Sequence, residues 1–208
     1  MRAQQFICIE GGEGSGKTAM SAVVTAWLRS CGRKVTEVYD PGSTPLAQKL
    51  REIVVGKDIP CTPEQQALLY VAARSALADE IKQLLASGHD VVCGRWTLST
   101  MIYQGICGEV GVGKVNLLTE EFIHVNPDIY IVLDATPEIA IARKKADVGE
   151  DNLAKDRFDS RDMNWHYQIR DSYTQLARKN NYPVVNADQP LVVVAGAVVA
   201  ICRENMGL

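Results

Sequence analysis

Residues 6–18 read Phe-Ile-Cys-Ile-Glu-Gly-Gly-Glu-Gly-Ser-Gly-Lys-Thr. A short apolar strand, Phe6–Glu10, runs straight into Gly11-Gly12-Glu13-Gly14-Ser15-Gly16-Lys17-Thr18, an unbroken G-x-x-x-x-G-K-[ST] signature. The glycines let successive backbone N–H groups turn inward as a nest for phosphate oxygens. A helix-forming run follows at Ala19–Arg29. Its positive dipole end points at the same anion. Lys17 can reach β- and γ-phosphates, and the Thr18 hydroxyl can ligate Mg²⁺. A strand, a glycine loop and a helix in that order imply a nucleoside triphosphate site. The fate of the γ-phosphate is left open.

Working outward, strand and helix signals alternate along the chain. Apolar runs bounded by turn residues occur at Phe6–Glu10, Val35–Tyr39, Val91–Gly94, Ile129–Asp134 and Pro183–Asn186, with helix-length segments between them. The segment Pro63–Ser87 opens on Thr62 as N-cap, with Pro63 at the first helical position and Gln65 at the third, a capping-box arrangement. Thr136-Pro137-Glu138 opens another helix in the same way, and Pro190 opens the last. The alternation predicts an α/β fold: a five-stranded parallel sheet flanked by helices in three layers, the P-loop NTPase arrangement. Ligands of such sheets sit at the carboxyl ends of the strands. The loops after Glu10, Tyr39, Gly94 and Asp134 are therefore the informative ones.

Composition narrows the class. The chain has 208 residues, 47% hydrophobic and 23% charged, with a net charge of −3. These values suit one soluble domain and give no basic surface for nucleic acid. No leader or membrane span is legible. The apolar tail Val192–Cys202 is about half the length a span needs and reads as a buried helix. The six cysteines show no C-x-x-C pairing. They read as reduced core or near-core thiols of a cytoplasmic protein. The three histidines lack metal-ligand spacing. Residues 147–156 are polar and aperiodic, as in a mobile surface loop.

Three loops and one helix carry further chemistry. Asp40-Pro41-Gly42-Ser43-Thr44 is a turn at a strand end. Arg95-Trp96-Thr97-Leu98-Ser99 follows the third strand, then Tyr103-Gln104-Gly105. An arginine there can clamp a phosphate bidentately or form a surface ion pair. Tyr70 and Arg74 lie four apart and share a helix face. A ring can stack on a base while the guanidinium bonds its edge; a core tyrosine beside a surface arginine has the same spacing.

These segments together resemble bacterial-type thymidylate kinases. The resemblance is carried by residues 9–18, 40–51, 70–74, 95–100, 103–105, 127–138 and Asp-Arg-Phe-Asp at 156–159. It implies transfer of the γ-phosphoryl group from Mg-ATP to dTMP, giving dTDP and ADP, in a homodimeric enzyme that uses Mg²⁺. It places Gly11, Gly12, Glu13, Gly14, Ser15, Gly16, Lys17, Thr18 and Arg143 at ATP, the last against adenine. Glu13 would contact the deoxyribose hydroxyl of the monophosphate. Tyr70 would stack on thymine, and Arg74 would read its edge. Arg95 would lie near the transferred phosphoryl group. Ser99, Thr100, Tyr103 and Gln104 would line the base and sugar pocket. A lid at about 144–158 would supply a cation from Lys144, Lys145, Lys155 or Arg157, because the phosphate loop has no basic residue at its variable positions.

Two departures from the family pattern stand out. The acidic residue before the motif arginine is Gly94 here, and the Arg-Glu of Arg-Glu-Pro-Gly is Tyr39-Asp40. They leave room for a kinase acting on another or modified deoxynucleoside monophosphate. A non-kinase ATPase would use Asp134 as its magnesium carboxylate but would leave the Asp40 and Arg95 segments idle. A GTPase switch would carry D-x-x-G and N-K-x-D elements, and the sequence has neither.

Overall fold

The structure, a computed structural model, describes residues 3–149 and 157–208. The strands are β1 (Phe6–Gly11), β2 (Val35–Tyr39), β3 (Asp90–Gly94), β4 (Ile129–Asp134) and β5 (Val184–Asn186). They form one parallel sheet in the order β2-β3-β1-β4-β5. The helices are α1 (Lys17–Ser30), α2 (Pro45–Val55), α3 (Pro63–Ala86), α4 (Thr97–Thr100), α5 (Val112–Phe122), α6 (Pro137–Val148), α7 (Met163–Lys179) and α8 (Leu191–Met206). A π-helical turn, Met101–Ile106, continues α4. The expected three-layer α/β arrangement is therefore present, with each strand within a residue of its sequence reading.

The central strands are apolar on both faces because both faces are covered. Ile7 and Ile9 pack with Met20, Val24 and Leu28 of α1 and with Val194 and Val198 of α8. Phe6 and Cys8 point the other way, toward Val71, Leu77 and Ile81 of α3 and toward Trp96. Val132 of β4 joins Trp165, Ile169 and Tyr173 of α7. The period-two alternation of one strand thus feeds opposite layers.

Local signals explain the helix ends. Thr62 accepts from the Gln65 N–H and Gln65 Oε1 accepts from the Thr62 N–H, completing the box that starts α3. Thr44 and Asp162 cap α2 and α7 through their side chains. Thr136 stands at the N-cap of α6, but its side chain does not cap. Its N–H donates to Asp188 instead, at 2.9 Å.

Three sequence expectations need correction. Helix α6 runs through Asp147 and Val148, so the polar stretch does not begin as a loop; residues 150–156, with Lys155, lie outside the described residues. The last helix is buried on one face alone: Leu191, Val192 and Val193 are exposed, because α8 lies over the sheet margin and meets α1 on its inner side. Cys31 is exposed at the end of α1, whereas Cys8, Cys93 and Cys202 are core residues. Among the described residues, no helix is long and apolar enough to cross a membrane.

Candidate active site

The phosphate loop leaves β1 at the centre of the sheet. Gly14 is required by a close approach: its φ is +66°, and a Cβ there would come within 2.0 Å of the Ala140 carbonyl oxygen of α6. Helix α1 begins without a side-chain cap and without an acid in its first turn. Its N-terminal amides therefore remain available to an external anion. Lys17 folds back over the loop, its Nζ donating to the Gly12 and Gly11 carbonyls at 2.5 and 3.0 Å. Burial, reinforced by the like charge of Arg95, pulls the Lys17 ammonium down to about 7, with Glu13 and Glu10 opposing.

Two of the cavities beside this loop share a wall. A groove is lined by Gly14, Ser15, Gly16, Lys17 and Thr18 together with Arg143, Ala187 and Gln189. Arg143 donates to the Ala187 carbonyl at 2.8 Å, which fixes its guanidinium beside the groove. A second cleft is lined by Tyr70 and Arg74 of α3, by Arg95, Ser99, Thr100, Tyr103 and Gln104, and by Phe158. Glu13, Asp40, Arg51, Arg95 and Lys144 line both cavities and form their common wall.

That wall is a charge network. Arg95 Nη2 lies 2.5 Å from Glu13 Oε1, and Lys144 Nζ lies 3.5 Å from Glu13 Oε2. The Tyr103 hydroxyl donates to Glu13 at 3.1 Å, and Arg95 lies over the Tyr103 ring. Burial works to raise the Glu13 carboxyl, but Arg95 first, then Lys144 and Lys17, outweigh it and hold the group well below the usual range. Lys144 also pairs with Asp159 at 2.5 Å. Arg157 turns away from the wall: it donates to the carbonyls of Gly56, Ile59 and Cys61 in the α2–α3 loop.

Arg74 is fully buried and pairs with Asp40, its Nε and Nη2 at 2.8 and 2.5 Å from the same oxygen, Oδ2. Arg74 Nη1, Asp40 Oδ1 and Gln104 Oε1 are buried without hydrogen-bond partners. Gln104 Nε2 donates to Gln66 Oε1.

The structure brings Glu13, Tyr70, Arg74, Arg95, Ser99, Thr100, Tyr103 and Gln104 to one cleft, and Lys17, Thr18 and Arg143 to the adjoining groove. Asp134 is held by Arg170 at 2.5 and 3.1 Å, which occupies the carboxylate that an ATPase reading would give to magnesium. Gly94 leaves an open space whose nearest neighbour is the Ser21 hydroxyl, itself buried and unpartnered.

Sequence reading missed Arg51, Tyr173 and Glu10. Glu10 carried a usable signal: a carboxylate inside an apolar strand has to be buried with partners. It accepts from the Trp96 N–H at 2.7 Å, the Ser99 N–H at 3.3 Å, the Ser99 hydroxyl at 2.8 Å and the Tyr173 hydroxyl at 3.1 Å.

The chain is similar in sequence to proteins of one family. The family profile described as thymidylate kinase matches residues 9–198. The thymidylate kinase of Magnetococcus marinus is 36% identical over 202 residues, covering 93% of both chains. That of Jannaschia sp. is 36% identical over 208 residues, covering 97% of both. That of Pseudomonas putida is 35% identical over 202 residues, covering 94% of this chain and 95% of its own. A profile match over residues 9–198, with relatives 35–36% identical across more than nine-tenths of both chains, places this protein in the thymidylate kinase family.

Proposed function

We propose that the protein transfers the γ-phosphoryl group of ATP to dTMP, releasing ADP and dTDP. The observation that carries this reading is the common wall: Glu13, Arg95 and Lys144 stand where a donor groove and an acceptor cleft meet. ATP would lie along the groove, with its phosphates on the α1 N-terminus and Lys17 and its adenine toward Arg143. The monophosphate would fill the cleft, with its base between Tyr70 and the Arg74–Gln104 end and its sugar near Tyr103 and Glu13.

The unpartnered atoms support a thymine or uracil ring. Arg74 Nη1 offers a donor and Gln104 Oε1 an acceptor. A thymine presents an O4 acceptor beside an N3–H donor, whereas cytosine presents the reverse pair. A cytosine monophosphate would leave both buried groups opposed to like groups, and such mismatches weigh heavily in selection.

The reaction needs little covalent help. An oxygen of the dTMP phosphate attacks the γ-phosphorus, the bond from that phosphorus to the β,γ-bridging oxygen breaks, and that oxygen leaves on ADP. The acceptor is already an anion, so no general base is required. Positioning and charge neutralisation do the rest. Arg95 and Lys144, released from Glu13, would take the phosphoryl oxygens, and Lys17 would follow the β,γ-bridge.

The residues fit Mg²⁺. Thr18 opens into the groove, and Asp40 Oδ1 is a buried oxygen that lines it and lacks a partner. No acidic or histidine cage exists among the described residues, which suits an ion that keeps its waters and takes one or two protein oxygens plus phosphates. When bound, Mg²⁺ neutralises charge on the β- and γ-phosphates. A homodimer in the cytoplasm belongs to the same reading; exposed Leu68, Leu117 and Phe122 on neighbouring α3 and α5 support the dimer.

A coupled ADP assay with ATP and Mg²⁺ against dTMP, dUMP, dCMP and dGMP tests the proposal. Turnover that depends on dTMP, with dCMP and dGMP inert, is expected. ADP release independent of any monophosphate would sink it.

A further inference from the structure

Arg95 sits between two carboxylates. Its Nη2 edge meets Glu13 directly. Its Nη1 edge meets two hydroxyls, Ser99 Oγ at 3.4 Å and Tyr173 Oη at 3.5 Å, and also donates to the Gly11 carbonyl at 3.4 Å. Those hydroxyls lie 2.7 Å apart, and both reach the same oxygen of Glu10, Oε2. A guanidinium, two hydroxyls and a carboxylate therefore form a continuous chain with opposite charges at its ends. The other oxygen of Glu10 takes the Trp96 and Ser99 amides.

The backbone needs that anchor as well. Arg95 has φ +73°, a left-handed conformation in a residue that is not glycine. Such strain persists where surrounding bonds over-determine it. The Trp96 amide held by Glu10 follows immediately, and the Arg95 N–H donates to the Ile9 carbonyl at 3.0 Å. Glu10 is fully buried and lies outside both cavities, so it touches neither substrate.

We infer that Glu10 is a positioning residue for Arg95: through the Ser99 and Tyr173 hydroxyls it fixes the Nη1 edge, so that the Nη2 edge alone exchanges between Glu13 and an incoming phosphate. This rests on the dTMP kinase reading. The guanidinium then arrives at the transition state already oriented, without a rotamer search.

Glu10→Gln is the informative variant. It is nearly isosteric and keeps an acceptor for the two amides, but it puts an NH₂ where the hydroxyls need an acceptor. The expected result is a fall in kcat on the order of 10- to 100-fold, as misplacement of a reacting group produces, with the KM for ATP moving less than about twofold. Tyr173→Phe removes one hydroxyl alone and should lower kcat in the same sense. The two effects are expected to be non-additive, because they break one chain. Parent-like kcat in Glu10→Gln, or additive losses spread equally over kcat and both KM values, would overturn the inference while leaving the kinase activity standing. If Glu10→Gln does not fold, Tyr173→Phe decides by the same kcat criterion. A parent protein that fails to phosphorylate dTMP removes the activity and the inference together.

Discussion

Asp40 and Arg74 form a buried ion pair through a single oxygen, Oδ2, that takes both Nε and Nη2. Each side chain is 1% exposed. Burial raises the Asp40 carboxyl against the opposing pull of Arg74. Asp40→Asn would leave the guanidinium without its anion, at a cost of about 3–5 kcal/mol in urea-unfolding stability. Asp40→Leu with Arg74→Met should recover most of that loss and none of the dTMP turnover. A destabilised double variant would show that the pair stabilises the fold rather than the site.

Glu13→Gln removes the anion that gathers Arg95, Lys144 and the Tyr103 hydroxyl. Arg95 and Lys144 would no longer be aligned along the acceptor side, while the Lys17 contacts to the loop carbonyls would persist. Steady-state kinetics should show kcat/KM for dTMP lowered about tenfold, near 1.4 kcal/mol, and the KM for ATP nearly constant. A loss confined to the KM for ATP would place Glu13 at ATP alone.

Lys17 is pulled down to about 7 in the free protein. Bound nucleotide phosphates favour the charged form, so binding draws a proton onto Lys17. Below pH 7 the proton is already present and uptake vanishes. Above pH 7 uptake approaches one proton, about 0.9 at pH 8, and ATP affinity falls as pH rises. Calorimetry in two buffers of different ionisation enthalpy reads the proton number directly. No uptake at pH 8 would mean that Lys17 is fully charged in the free protein.

Gly94→Asp places a carboxylate before Arg95, the position the resemblance to thymidylate kinases expects to be acidic. A Cβ there would meet the Ser21 hydroxyl at 3.6 Å, an ordinary contact. Stability should move by no more than about 0.5 kcal/mol. A carboxylate facing the groove is expected to lower the Mg²⁺ concentration for half-maximal rate. An unchanged Mg²⁺ dependence would indicate that Thr18 and Asp40 already suffice.

The strands and the phosphate loop were legible because both depend on local patterns: an apolar run, glycines at fixed spacing, a capping box. The cleft residues were legible as segments. Their partnerships were not. Asp40 reads in sequence as one residue of a turn, and its pairing with Arg74 exists only because β2 ends beside α3. Glu10 binds residues 86 to 163 positions away, a distance that no local pattern spans. The α8 face misled for the opposite reason: Leu191, Val192 and Val193 are as apolar as core residues, and sequence alone cannot say where a layer ends.

Arg157, tied to the carbonyls of Gly56, Ile59 and Cys61, has one further implication. Two residues on, Asp159 is gripped by Lys144 of α6. The segment 157–159 thus links the α2–α3 loop to α6, whose Lys144 lines both cavities. A shift of α6 on nucleotide binding would reach the α2–α3 loop through these contacts, and α2, which ends at that loop, carries Arg51 and Val55 of the monophosphate cleft. Occupancy of one site is then expected to change affinity at the other, by the same factor in either direction. Titrations of dTMP with and without a non-hydrolysable ATP analogue, and the converse pair, should return one common coupling factor, and Arg157→Ala should bring it toward unity.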